Sequence, residues 1–436
     1  MSNNRLLDPR LQQVLEFPLA SGIFGRRSRR FGYGMTIPSG PLAYTSQHEP
    51  LPLCELERAL LLAAGTGVTG WNFGIPFTVN QSDTFSNYSL RMTGRTIPSA
   101  ATIGASELFF TDDSGIYVTR TRDFPPERLR EFAGEYDDVS RILAHTQAAT
   151  VQLRKERLFL PREAPHYDEH NLWNSNQPGT TLFMPIGDVG QQLLALLAMY
   201  VSNGYTLYDD YKGCLGGELE PFIRTGVIQD TPPLRFSLSH VEQAAYATVA
   251  MELALIGQNI VLMMQAIGLG GWMYSGIFPY SALGAFASEG IAGLGFRFVH
   301  REEWTMPNPI GLDGYYESLC PPYVSDMYEA AHKLAERKFG PGGTYDATTG
   351  GPFRENSEIK ATAQPYTQAQ VDCIGEMAQH IYRTYGRIPA RFPTILLRIY
   401  TQAHHLEQGF YDQFFGPEAY LNTHAEHMQR WHPEQS

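Results

Sequence analysis

The sequence predicts a globular protein that mixes α-helices and β-strands. The chain has 436 residues, of which 43% are hydrophobic and 18% are charged, and this composition is typical of a soluble protein with a large core. Long segments have helical periodicity, whereas strand-like runs are fewer and shorter. No repeat of fixed period and no low-complexity tract occurs along the chain.

Seven segments place apolar residues at the spacing of an α-helix. The predicted helices cover residues 53–64, 126–148, 188–202, 239–267, 325–339, 368–385 and about 394–415. The longest of them begins with a capping box, in which Ser239 is the N-cap and Glu242 lies three residues later. Its apolar pattern ends at Gly268, where a left-handed C-cap is expected.

Four runs of residues have the pattern of β-strands. The runs SELFFTDD and GIYVTRT, separated by a turn at Ser114 and Gly115, predict a hairpin. The runs TTLFMPIG and GLGFRFVHRE predict two further strands. The turn-rich residues 161–180 and 340–367 are expected to be long loops, either functional lids or connectors.

Charge and cysteine usage exclude several classes of protein. The net charge of −12 argues against a general nucleic-acid binder, which needs an excess of Lys and Arg for its phosphate contacts. The four cysteines lie far apart, so neither a zinc knuckle nor a redox dithiol is predicted, and free thiols in a reducing compartment are expected. The N-terminus lacks the pattern of a secretory signal, which makes the cytoplasm the expected location.

The apolar residues 244–267 are long enough to span a bilayer as a helix. They also include Glu252, Gln258, Asn259 and Gln265, and a carboxylate near the centre of a span costs roughly 2.5–3.5 kcal/mol on insertion scales. No cluster of Lys or Arg flanks the segment. We therefore expect a helix buried in protein rather than a membrane span.

Small residues follow this helix at high density. Gly268, Gly270, Gly271, Ser275 and Gly276 alternate with apolar and aromatic side chains. Glycine lets a flat ligand come close to the backbone, whose N–H groups can then donate to it. This segment therefore predicts one wall of a site for a planar, redox-active ring.

Three separated motifs together resemble the nitroreductase-like family of FMN flavoproteins. They are GRRSRRFGYG at residues 25–34, LERALLLAAGTGVTGWNFGIPF at residues 56–77 and AIGLGGWMYSGI at residues 266–277. The family opens with an Arg-x-Ser type motif, continues with an amphipathic helix that leads to an Asn and Pro pattern, and later places a long helix before Gly-Leu-Gly. The order of these motifs is the same in this chain, and the resemblance covers roughly residues 20–305.

The resemblance implies an α+β fold with a central antiparallel-rich sheet wrapped by helices. It further implies an entwined homodimer with one FMN at each subunit interface, so that the helix at 239–267 is buried mainly by the partner chain. Residues 20–305 would form the FMN-binding domain, with an insertion near 150–185. Residues 306–436 would form a C-terminal helical extension.

The resemblance also implies which residues hold the cofactor. The phosphate and the polar edge of the ring would be bound by Arg26, Arg27, Ser28 and Arg30, because guanidinium groups and a hydroxyl donate several hydrogen bonds to an anion. Asn72 would contact the ring or its ribityl chain. Gly271, Ser275 and Gly276 would lie near the redox-active nitrogen. Many family members have an acidic residue where Ser275 stands, and a second basic phosphate ligand has no clear match.

The function implied is an FMN-dependent oxidoreductase that carries hydride or electrons from NAD(P)H to a nitroaromatic, quinone or enone by a ping-pong cycle. The pattern nominates no catalytic acid or base. Two alternatives stay open. One is a flavin-dependent dehydrogenase or oxidase that acts on a specialised metabolite with oxygen as acceptor, and the other is a flavin-binding protein without turnover. Neither a nucleic acid nor a membrane is expected as a partner.

The C-terminal tail concentrates five of the 13 histidines. Helical spacing would place His404 beside Glu407, and His424 beside His427, which makes a metal site conceivable. No tight ligand motif such as H-E-x-x-H occurs. We therefore expect a helical extension with amphipathic histidines and no metal.

Overall fold

The computed structural model describes residues 7–75 and 87–435 of the chain. Pro76 and Phe77, which end the second of the three motifs, lie outside the described residues. Within that part of the chain the protein is a mixture of helices and strands, as the sequence predicts.

The helices differ widely in length, and one of them is much longer than the rest. They are α1 (Pro9–Glu16), α2 (Leu19–Phe24), α3 (Glu55–Thr66), α4 (Val139–Ala149), α5 (Val189–Ser202), α6 (Glu220–Arg224), α7 (Leu238–Ile267), α8 (Pro279–Leu283), α9 (Met327–Phe339), α10 (Asn356–Ala361), α11 (Gln368–Tyr385), α12 (Gln408–Phe414), α13 (Asn422–Ala425) and α14 (His427–Trp431).

The strands are short and are distributed among several sheets. They are β1 (Thr36–Ile37), β2 (Tyr44–Thr45), β3 (Val68–Trp71), β4 (Thr93–Arg95), β5 (Ser106–Asp112), β6 (Gly115–Thr119), β7 (Thr150–Arg154), β8 (Thr181–Asp188), β9 (Thr206–Asp209), β10 (Cys214–Leu215), β11 (Arg235–Ser237), β12 (Gly270–Tyr274), β13 (Arg297–Val299), β14 (Asn308–Leu312), β15 (Tyr316–Glu317), β16 (Ile395–Leu396) and β17 (Tyr400–His404).

The main sheet has seven strands, and all of its pairings are antiparallel. Its order is β12-β17-β8-β5-β6-β7, and β16 pairs with the far end of β8. The predicted hairpin forms β5 and β6, and the TTLFMPIG run forms β8. Both central strands, β5 and β8, are buried along their whole length, which explains their unbroken apolar character.

Alternate residues of the central strands point to two different cores. Leu108 and Phe110 of β5 lie in a cluster with Leu60 of α3 and Ile256 of α7. Phe109 between them lies in a second cluster, which the chain covers on the opposite face of the sheet. The pair of helices α3 and α7 therefore forms one layer directly on the sheet.

The N-cap of the long helix α7 lies two residues before the predicted cap. Its N-cap is Ser237, whose side chain accepts from the N–H of His240, whereas Ser239 lies inside the helix and bonds to Asp210. The predicted end is correct, since Gly268 has φ 95° and caps the helix in the left-handed conformation. In the described part of the chain, α7 is the one helix long and apolar enough to cross a membrane by length and composition.

Two predicted helices differ from the structure. Residues 126–138 contain only two short 3₁₀ turns, and the helix predicted from residue 126 begins at Val139. The helix predicted at about 394–415 is wrong, because this segment forms β16, β17 and then the short α12. His404 accordingly ends a strand instead of sharing a helical face with Glu407. The main sheet takes strands from both sides of the boundary predicted between residues 305 and 306.

Candidate functional site

The first and third motifs meet at a backbone pair between Arg29 and Gly271. The N–H of Arg29 donates to the carbonyl of Gly271 at 3.2 Å, and the N–H of Gly271 donates to the carbonyl of Arg29 at 2.8 Å. β12 is an edge strand, so this pair extends the main sheet by one bridge on its open side. Motifs far apart in the sequence are thus fixed next to each other.

The side chain of Arg29 is buried and locks this junction. Its guanidinium donates to Gln265 Oε1 at 2.7 Å, to the carbonyl of Ala419 at 3.0 Å and to the carbonyl of Gly25 at 3.0 Å. Burial lowers its pKa to about 10, which leaves it charged at neutral pH. Arg29 is therefore fully engaged inside the chain and is not available to a ligand.

The four neighbours of Arg29 that the sequence assigns to the cofactor lie at the surface. Arg26, Arg27, Ser28 and Arg30 are all exposed. The guanidinium of Arg27 folds back to the carbonyls of Phe24 and Arg26, at 3.1 and 2.9 Å. We call residues 25–30 the arginine arm. It presents three exposed cations beside β12, which we call the glycine-rich strand.

The glycines of β12 and of the segment just after it pack closely against other parts of the same chain. Gly271 has φ 151°, and a Cβ atom there would lie 2.1 Å from the carbonyl oxygen of Gln402. The carbonyl of Gly276 accepts from the N–H of Asp168 at 3.0 Å, and a Cβ atom at Gly276 would lie 1.9 Å from Asn171 Nδ2. These contacts account for both glycines without a ligand. The cofactor role of these positions stays a prediction.

The turn-rich residues 161–180 include the segment that covers the glycine-rich strand. Tyr167 forms an isolated bridge with Ile277, and Asp168 and Asn171 contact Gly276. Ser275 remains exposed next to this cover. The sequence predicts a lid or connector here, but the glycine that it packs against could not be predicted from loop composition.

Asn72 lines a cavity that none of the other predicted residues lines. Its N–H donates to the carbonyl of Met92 at 2.7 Å, which holds the segment just after β3. The cavity around it is lined by Arg91, Arg95 and Arg122, among others, and by none of the other seven predicted site residues. These three arginines belong to none of the three motifs, so their convergence could not be predicted from the sequence.

The second motif is nevertheless anchored to the third. α3 packs along α7, where a Cβ atom at Gly65 would lie 3.0 Å from Ile260 Cδ1. The helix α7 leads directly into β12, which carries the bridge to the arginine arm. All three motifs therefore surround one helix and strand unit, α7 and β12, although Asn72 lies in its own cavity.

One face of α7 is only partly covered by the part of the chain that the structure describes. In its most apolar stretch only 44% of the residues are buried, although the mean hydropathy is 1.6. The side chains left wholly or partly uncovered recur every three or four residues, at Ala244, Ala247, Met251, Ala254, Gln258 and Leu262. Met251 is 56% exposed. We call these six residues the open face of α7, and they form a continuous, mostly apolar stripe.

Comparisons with known proteins add little to this geometry. No protein-family model matches the chain, and no curated protein matches it. A solved structure of a provisionally assigned nitroreductase from Ralstonia eutropha JMP134 is 14% identical and covers 60% of this chain and 71% of that chain, with a TM-score of 0.26. Superposition at this level carries no argument about fold or function, so the case depends on the residues of the chain itself.

Proposed function

We propose that the protein is an FMN-dependent oxidoreductase of the nitroreductase-like type, active as a homodimer. The observation that carries the proposal is the Arg29–Gly271 pair, which fixes an exposed arginine arm beside a glycine-rich strand. An arm of exposed cations that can bind an anion, fixed at the edge strand of the sheet, is one part of the site that a phosphorylated flavin requires.

The arginine arm suits the phosphate end of FMN. Arg26, Arg27 and Arg30 are exposed and lie within five residues of one another, and Ser28 adds a hydroxyl donor. Planar guanidinium groups bind phosphate through paired hydrogen bonds, and a cluster of them binds a dianion more tightly than scattered cations do. The fixed position of Arg29 would hold this arm in place before the ligand arrives.

The open face of α7 supports a second copy of the chain as the missing part of the site. An apolar helical stripe left in water is unfavourable, and its spacing matches the seam of a helix that packs against another helix. In one chain the segment Asp168–Asn171 covers Gly276, so the ring end of the site is not open on that side. The proposed flavin lies at the junction of two chains, where residues of both can contact it.

Bound FMN would supply the hydride or electron transfer itself. The residues of this chain would bind the phosphate, orient the ring and exclude water from it. The reaction proposed takes hydride or electrons from NAD(P)H and passes them to an organic acceptor such as a nitroaromatic, a quinone or an enone. We also propose a cytoplasmic location, which is compatible with four free cysteines.

One observation favours the alternative of a protein with restricted or no turnover. Asn171 lies against Gly276, and the N–H of Gly271 is already bonded to Arg29, so the backbone groups expected near the redox nitrogen are engaged inside the chain. Such a covered strand suits a flavin protein that admits one specialised metabolite, or none, better than one that admits many acceptors.

Binding of FMN is tested by titration of the purified, tag-free protein, followed by quenching of flavin fluorescence. The triple variant R26Q/R27Q/R30Q should weaken FMN binding by at least tenfold, because three phosphate partners are lost. The matched control R120Q/R224Q/R354Q removes three exposed arginines elsewhere and should bind FMN as the wild type does. Equal affinities of all three proteins would contradict the proposed phosphate site.

Turnover is tested separately, by anaerobic addition of NADH or NADPH to the FMN complex. Bleaching of the flavin absorbance by either nucleotide supports the oxidoreductase. Reduction by light but by neither nucleotide favours the dehydrogenase or oxidase alternative. Bound flavin that resists both treatments favours the protein without turnover.

A further inference from the structure

Four side chains that are far apart in the sequence converge at the start of α3. They are Glu57 in the first turn of α3, His405 just after β17, His427 at the start of α14 and His432 just after α14. One donor atom from each of the four lies within 4.8 Å of the donor atoms of the other three. Glu57, His405 and His427 are at most 2% exposed, and the side chain of His432 is 8% exposed.

The distances inside this cluster are slightly shorter than those between ligands of one ion. Glu57 Oε1 lies 3.0 Å from His427 Nε2 and 2.9 Å from His432 Nε2, and His405 Nδ1 lies 3.1 Å from His427 Nε2. Bonds of about 2.0–2.2 Å to a tetrahedral zinc ion place neighbouring donor atoms about 3.3–3.5 Å apart. A small outward shift of each side chain would therefore admit a metal ion.

The hydrogen bonds around the cluster fix which ring nitrogens carry protons. His427 Nδ1 lies 3.0 Å from the carbonyl oxygen of Ile267, and His405 Nε2 lies 3.4 Å from the carbonyl oxygen of Pro52. A carbonyl oxygen only accepts hydrogen bonds, so in each neutral ring this nitrogen is the donor. The other nitrogen of each ring, His427 Nε2 or His405 Nδ1, then carries a lone pair.

These two lone pairs point into the cluster, together with a carboxylate oxygen. His427 Nε2 faces both His405 Nδ1 and Glu57 Oε1, so with both rings neutral three hydrogen-bond acceptors are in contact with no proton among them. Such a group of acceptors repels itself unless a cation lies between them. Histidines that donate one ring N–H to a backbone carbonyl and direct the other nitrogen inward are the usual arrangement around a bound metal.

We propose that Glu57, His405, His427 and His432 form a buried structural site for one divalent transition metal, with zinc as the best fit to three imidazoles and one carboxylate. Four protein ligands leave no open position for a substrate, so the site is structural. The ion would tie the C-terminal segment to α3, and the site does not depend on the proposed flavin. It replaces the sequence-based expectation that the tail holds no metal.

Of the four residues that helical spacing pairs, His404, Glu407 and His424 lie outside the proposed site. Glu407 accepts from Ser46 Oγ at 2.6 Å and lies 2.9 Å from His48 Nδ1, away from the cluster. His424 Nδ1 accepts from the N–H of Leu421 at 3.2 Å. Only His427 of those four predicted residues belongs to the proposed site.

The decisive measurement is the metal content of tag-free protein, purified without added metal and analysed by plasma mass spectrometry. We expect about one equivalent of a divalent transition metal, mainly zinc, per chain. Removal by a strong chelator should lower Tm by several degrees, and stoichiometric zinc should restore it, because an ion bound only by the folded state stabilises that state. Metal-free protein whose Tm does not respond to added zinc would overturn the proposal.

Two variants separate this site from binding to surface histidines. E57Q keeps the size of the side chain, and H432A changes a residue close to the C-terminus, so both should fold. Each should lower zinc affinity at least tenfold and abolish the response of Tm to zinc. H332A removes an exposed histidine far from the cluster and should behave as the wild type does. Equal zinc affinity and an equal Tm response in E57Q, H432A and wild type would assign the metal to other residues.

Discussion

Arg29 and Gly271 exchange two backbone hydrogen bonds, so the arginine arm is attached to the edge of the main sheet at one fixed position. The guanidinium of the same arginine donates a hydrogen bond to Gln265 in the last turn of α7. One residue thereby joins the arm, the long helix and the glycine-rich strand. The proposed function depends on this junction, and its energetics are open to direct measurement.

Replacing Arg29 should destabilise the fold, whereas replacing its neighbour should not. In R29M the buried Gln265 Oε1 and two partly buried carbonyls lose their donor, and an unsatisfied buried group costs about 1–3 kcal/mol. We expect the free energy of unfolding to fall by about 3 kcal/mol. Arg30 is exposed, so R30M should change it by less than about 0.5 kcal/mol. Urea unfolding measures the stability of both variants. Equal stabilities would show that the side chain of Arg29 does not stabilise the junction.

An alanine at Gly271 should be one of the costliest small substitutions in the chain. The backbone there has φ 151°, and the new Cβ would overlap the carbonyl oxygen of Gln402. Strain and overpacking together should lower the free energy of unfolding by about 3 kcal/mol. Gly134 has open space around its Cβ position, and G134A should be near neutral. Thermal melts measure the stability of the two variants. A G271A protein as stable as G134A would disprove the close packing.

Glu242 should make stability depend on pH. Burial raises its pKa to about 7 from an unfolded value of 4.5, although the N–H of Ala390 and the hydroxyl of Tyr211 donate to its carboxylate. A raised pKa means that the folded state binds the proton more tightly than the unfolded state does. The protonated carboxyl therefore contributes its full share to the free energy of unfolding below pH 4.5, and this share is lost as pH rises through 7. Relative to that of E242Q, the free energy of unfolding of the wild type should fall by about 1–3 kcal/mol across this interval.

The measurement for Glu242 is urea unfolding of wild type and E242Q at several pH values between 4 and 8. Other titrating groups are common to both proteins and cancel in the difference. A difference in unfolding free energy that stays constant over this range, or that shifts in favour of the wild type as pH rises, would contradict the assignment.

A charge on the open face of α7 should separate the proposed dimer. In M251E a carboxylate replaces a side chain that is 56% exposed in one chain and would be buried between two. Burial of an unpaired charge is costly, so we expect a dimer in the wild type and a monomer in M251E at micromolar concentration. Y315E adds the same charge to another exposed apolar residue and should leave the dimer intact. Light scattering coupled to size exclusion distinguishes these results, and a wild-type monomer would contradict the interface.

The sequence predicts best those elements whose pattern is strong and local. α7, α11 and the β5–β6 hairpin each have clear periodicity and clear end signals, and the structure has them within about two residues of the predicted bounds. The sequence does not predict β12 and β17, because the conformation of these segments depends on their tertiary environment. β12 contains two glycines, which have no strand preference, and β17 lies in a run that helical spacing fits equally well.

The contacts of single side chains follow from tertiary packing, which the sequence does not display. Arg29 differs in no local way from Arg26, Arg27 and Arg30, yet it alone of the four is buried. Likewise, no sequence pattern near Glu57 predicts that the side chains of His405, His427 and His432 lie next to it. Only the antiparallel addition of β17 to the sheet brings the C-terminal segment to the start of α3.

Native mass spectrometry of tag-free protein incubated with FMN tests the central claim most directly, because it reports subunit number and bound cofactor in one spectrum. We expect a species of two chains with two FMN molecules, in which any further mass fits metal ions at the histidine cluster. A spectrum that contains only single chains without flavin, at FMN concentrations well above those of the protein, would contradict it.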